Sequence, residues 1–216
     1  MEFENKWVEE AVRKVLGISA EDPISSEALG SIKYVKIGAS LHFINGFEVQ
    51  LSTQTPPEPF SDTDGGDEWI CCLRGKNIEA FLNQENKRNL LLPSRFGFDN
   101  EDFMGAQSDE AEALWEEYKK SLVAGNDFMT VLQMAQAEGK EATDKRFDSL
   151  MSELYRDIVK FKGLQVLRID GLSMPDYHVF EEMKQLKVLE LVEVNFASFE
   201  GYECLMNLQQ FACWMD

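Results

Sequence analysis

The chain has 216 residues, 44% hydrophobic and 28% charged. That balance suits one globular domain, or two small ones, with a substantial core, and excludes a disordered chain. A net charge of −18 and a pI near 4.5 repel phosphate backbones and anionic lipid, so neither nucleic acid nor a membrane surface is expected as a partner.

The start carries no apolar h-region, and no apolar run approaches the roughly 20 residues of a membrane span, so a cytoplasmic protein is expected. Residues 2–16 read as an amphipathic helix. Phe3, Trp7, Ala11 and Val15 recur at helical spacing, with Val8, Val12 and Leu16 beside them and Gly17 as C-cap. Residues 25–29 read as a short helical turn capped by Ser25 or Ser26.

From Ile32 the period changes to two, with Tyr34 and Lys36 alternating with Val35 and Ile37. A second apolar run, 41–44, leads into Asn45-Gly46 and then 47–51. Asn-Gly between strand-like runs predicts a hairpin, because both residues accept positive φ. Residues 53–68 form a polar, turn-rich loop with Pro56, Pro57 and Pro59.

A buried strand is predicted over 69–73, the start of a helix over 78–82, and ordered loop over 90–105. Three helices follow, over about 109–123, 127–138 and 143–161, with breaks at Gly125-Asn126 and Gly139. Phe147, Leu150, Met151, Leu154, Ile158 and Phe161 line one stripe of the last. Residues 99–157 hold fifteen acidic and six basic residues, which is half the net charge. Solvated helix faces account for it.

The C-terminal segment repeats. Leu164-x-x-Leu167-x-Ile169-x-x-Leu172 is followed by Leu186-x-x-Leu189-x-Leu191-x-x-Val194 and Leu208-x-x-Phe211-x-Cys213-x-x-Asp216, a step of 22 residues each time. Between them Phe180, Met183 and Leu186 fall three apart, as do Phe199, Tyr202, Leu205 and Leu208. A single unit cannot bury its own apolar face, so such units stack.

This pattern resembles the leucine-rich-repeat family over about 55 residues. The resemblance implies an α/β fold with a curved, mainly parallel sheet and flanking helices, and a protein-binding role. The start of the chain, with its helix, Leu16-Gly17, the stretch 24–29 and Ile32-x-x-Val35-x-Ile37, resembles the capping start of bacterial leucine-rich-repeat proteins. The organisation expected is an N-terminal helix and strands over 1–54, an acidic loop and helical insertion over 55–160, and the repeat segment over 161–216, packed as one unit. Where the family often places Asn at the ninth position, this chain has Leu172, Val194 and Asp216. No segment follows the last strand, so its edge is expected to be exposed and to invite pairing, with homodimerisation as one outcome.

Sites for chemistry are few. His42 and His178 have no spacing that demands a nucleophile, and Cys71, Cys72, Cys204 and Cys213 match neither a zinc pattern nor CxxC. Vicinal Cys71 and Cys72 point to opposite strand faces, so reduced thiols are expected. Asp62-x-Asp64-x-Gly66-Asp67 fails the calcium-loop template at its sixth and twelfth positions. No cofactor, no metal and no enzymatic activity are expected.

The positions between the strand core residues remain. Val166, Arg168 and Asp170, then Val188, Glu190 and Val192, then Gln210, Ala212 and Trp214 share the other face, joined by Tyr34 and Lys36 if the first strand completes the sheet. Mixed Val, Trp, Arg and Glu suit a protein-binding patch. Alternatively the inserted helices cover this face, and these residues are core. Self-association through the C-terminal edge, and an enzyme with its site in the insertion, are the other readings left open.

Overall fold

The computed structural model describes residues 1–39, 47–56, 70–74, 152–192, 194–198 and 200–214, with Ala113, Glu117, Tyr118, Lys120, Val123 and Ala124. Helix α1 spans Lys6–Leu16 and α2 spans Ser26–Gly30. The Asn5 side chain accepts the Trp7 and Val8 backbone N–H groups, each at 3.1 Å, which starts α1 four residues later than expected. Gly17 ends it in the left-handed conformation at φ 65°. Ser25 caps α2.

Among the described residues nine strands are formed: β1 (Tyr34–Ala39), β2 (Phe47–Ser52), β3 (Ile70–Arg74), β4 (Val123–Ala124), β5 (Val166–Asp170), β6 (Ser173–Met174), β7 (Val188–Val192), β8 (Asn195–Phe196) and β9 (Gln210–Trp214). Seven form one sheet in the order β3-β9-β7-β5-β1-β2-β4. Its centre, β9-β7-β5-β1, is parallel, while β3 and β2 lie antiparallel to β9 and β1. The fold is therefore mixed α/β around a mostly parallel sheet.

The 22-residue step in the sequence is also the step of the ladder. Leu167, Leu189 and Phe211 stand side by side, as do Ile169, Leu191 and Cys213. The first strand takes the same register, with Val35 beside Leu167 and Ile37 beside Ile169. The entry into each strand recurs as well. The same turn closes four times, with Ile32 N–H donating to Leu29 O, Leu164 to Phe161, Leu186 to Met183 and Leu208 to Leu205. The carbonyls of Lys33, Gln165 and Lys187 each accept two N–H groups of the next unit. Four units thus stack, with everything between β1 and β5 inserted after the first.

One face of the sheet forms the main core. Val35, Ile37, Leu167, Ile169, Leu189, Leu191 and Phe211 are buried there against Val8, Ala11 and Val12 of α1, against Leu154 and Ile158 of the helical residues 152–158, and against the turns carrying Phe180, Met183 and Leu205. Such burial, at roughly 25 cal/mol per Å² of apolar surface, is the dominant stabilising term. Gly163 is fixed by close approach, since a Cβ there would run into the Gly30 carbonyl oxygen.

The ninth positions show how the turns manage without asparagine. Leu172 and Val194 are buried. After β5 the backbone is held by other backbone. Gly171 (φ 62°) donates to Val192 O at 2.7 Å, and β6 and β8 pair as a second parallel ladder.

Strands β1 and β2 pair antiparallel with Ala39 opposite Phe47, and the Asn45-Gly46 turn expected after the 41–44 run lies outside the described residues. Two expectations need correction. The helix expected over 109–123 stops before Val123, which pairs with Leu51 in β4. The C-terminal strand is not an edge, because β9 is hydrogen-bonded to β7 on one side and β3 on the other. The helix over 127–138 and the loop over 90–105 lie outside the described residues, as do His42 and the calcium-loop-like stretch. Among the described residues, no helix is long and apolar enough to cross a membrane.

Candidate functional site

The sheet register sorts the second face into rows. Tyr34, Val166, Val188 and Gln210 form one, Lys36, Arg168, Glu190 and Ala212 the next, and Gly38, Asp170, Val192 and Trp214 the last. The sequence had placed these residues on one face, and the strands bring them together there. The face is not open along its length, however. Tyr34, Val166, Val188, Glu190, Gln210 and Ala212 are all buried.

Part of the reason is Tyr118. Its ring meets the Tyr34 ring edge-on at 5.8 Å, and it forms a small apolar cluster with Tyr34, Val166 and Val188. The expectation of an open face is therefore corrected for the first row, where these residues serve as core against a helical residue of the insertion. Burial raises the Tyr34 phenol pKa well above its ordinary value, and Glu190 adds to the shift. Tyr118 was missed in sequence because nothing in the acidic stretch around it distinguishes a covering residue from a solvated one.

What stays accessible lies toward the C-terminal ends of β1, β5 and β7. Lys36, Arg168, Asp170 and Val192 are each partly exposed. They form a chain of charge. Arg168 Nε donates to Asp170 Oδ1 at 2.9 Å, and Lys36 Nζ lies 3.5 Å from Asp170 Oδ2. Glu190 stands directly opposite Arg168 on the next strand. Burial works against the guanidinium charge, but the charge and hydrogen bond of Asp170, with the charge of Glu190, raise the Arg168 pKa overall. Arg168 Nη1 and Nη2 make no hydrogen bond among the described residues. Asp170 needs Gly38 beside it, because a Cβ at Gly38 would sit 2.8 Å from the Asp170 Cβ.

Gln210 is 3% exposed, and its Nε2 has no hydrogen-bond partner among the described residues. A buried donor left in that state costs about 1–3 kcal/mol. Trp214 takes its place through the backbone, opposite Val192 and Ile70.

The remaining chemistry-bearing residues lie away from this face. His178 is half exposed, with Nδ1 2.8 Å from Glu181 Oε1. Cys204 sits in a groove of about 480 Å³ between the turns carrying Phe180 and Leu205. Burial, with nearby Glu181 and Glu203, pushes its thiol pKa up to about 12. Among the described residues, no group of three or more His, Cys, Asp and Glu is placed to hold a metal ion.

No family model, no curated protein and no solved structure matches the chain.

Proposed function

We propose that this chain is a cytoplasmic protein-interaction module, a short leucine-rich-repeat-like array whose contact patch is Lys36, Arg168, Asp170 and Val192. The observation that supports this reading is the shared register of β1, β5 and β7, which gathers those four partly exposed side chains toward one end of the sheet. The patch mixes an apolar residue, paired charges and a guanidinium, the composition from which protein interfaces draw their anchors. The role is binding rather than catalysis.

Two substitutions test it. Lys36→Glu and Val192→Asp change partly exposed side chains outside the main core. In capture from a lysate of the source organism, each should lose the partners that wild type retains. Lys162→Ala breaks an exposed ion pair with Glu182 outside the patch and should retain them. Unchanged capture by both patch variants would overturn the proposal.

A further inference from the structure

Between the turns carrying Phe180 and Leu205 runs the groove beside Cys204, about 480 Å³ in volume. That lies within the roughly 300–1,000 Å³ of binding clefts. Buried Phe180, Met183, Leu186, Leu205 and Leu208 give it an apolar floor. Exposed Glu181, Lys184 and Glu203 give it a charged rim. Glu203 also lines a second hollow, of about 490 Å³, that reaches Glu200 and His178. The two hollows together carry three exposed carboxylates, Glu181, Glu200 and Glu203, against one lysine. Met206, on the same turn as Glu203, is 48% exposed, and among the described residues only Met1 matches it as a large hydrophobic side chain left so open.

We propose that these hollows form a second docking surface, apart from the patch on the other face of the sheet, and that its occupant is an extended basic segment of a partner protein with an apolar residue at its centre. The apolar residue leaves water for the groove floor over Met183 and Leu205. Arginine or lysine side chains on either side of it meet Glu181 and Glu203, with Glu200 further along. The surplus of carboxylates attracts a cationic segment and rejects an acidic one, and the net charge of −18 extends the same field outward. A contact of this size falls below that of stable interfaces, so binding is weak and transient and is read in solution rather than by capture.

The test is an amide NMR titration of the full chain, at low salt, with the amidated peptide Lys-Arg-Leu-Arg-Lys. Resonances over 180–186 and 203–208 should move and saturate. Replacing the leucine of the peptide by glycine should weaken binding about tenfold, because the apolar contact is lost. Glu203→Lys should also weaken it about tenfold, an attraction becoming a repulsion, and Lys184→Glu should tighten it. Glu27→Lys, the same charge reversal at an exposed position of α2, should leave it unchanged. All three substituted side chains are exposed, so the variants keep the fold. No saturable shift, shifts that map elsewhere, a glycine peptide that binds as tightly, or equal weakening by Glu27→Lys and Glu203→Lys each overturns the proposal.

Discussion

Asp157 Oδ2 accepts the Asn5 backbone N–H at 2.7 Å, although 152 residues separate them. The same carboxylate accepts from Glu4 N–H at 3.1 Å and from Lys160 Nζ, and its side chain is fully buried. Asn5 in turn caps α1, so one buried acid joins the start of the chain to the helical residues that precede the second unit. Asp157→Ala leaves those donors without their acceptor and should cost about 3 kcal/mol, since hydrogen bonds to a charged group are involved. Asn5→Ala removes only the cap and should cost about 1 kcal/mol. Urea denaturation of both variants checks the order.

Gly163 and Gly17 separate two reasons for glycine. Gly163→Ala forces a Cβ into the Gly30 carbonyl and should destabilise by about 2 kcal/mol or more. Gly17→Ala meets no atom within 4 Å, and its cost is only that of holding φ at 65°, about 1 kcal/mol. Thermal melts should rank Gly163→Ala as the worse.

The repeat predicts where truncation hurts. Leu189 is fully buried in the middle of the first face, so Leu189→Ala should cost about 3 kcal/mol. Glu182→Ala removes an exposed partner of Lys162 and should change stability by less than about 1 kcal/mol. Chemical denaturation curves measure both.

His178 supplies a pH dependence of known sign. Its hydrogen bond to Glu181 raises the imidazole pKa above 6.5, with Asp176 and Glu200 adding to it. A raised folded-state pKa means the stabilisation is fully present below the unfolded value and is lost as pH rises through the folded one. Imidazole resonances followed by NMR should titrate above the ordinary value in wild type. They should move back toward it in Glu181→Gln.

The central ladder was legible because its information is local and repeated. A fixed step between Leu164, Leu186 and Leu208 forces equivalent residues side by side, and Ile32-x-x-Val35-x-Ile37 carried the same signature to the first strand. What closes the sheet was not legible. β3 joins β9 across most of the chain, and no pattern near Ile70 names Gln210–Trp214 as its partner. The second face was ambiguous for a physical reason. Val166 and Val188 suit both a binding surface and a core, and only the placement of Tyr118 against Tyr34 decides.

Amide hydrogen exchange of the chain, free and bound to a captured partner, addresses the proposed patch most directly. Binding at the patch predicts added protection at the C-terminal ends of β1, β5 and β7, around Lys36, Arg168–Asp170 and Val192, and none at the turn carrying His178. Added protection confined to that turn, or to the groove beside Cys204, would contradict the patch as the contact surface.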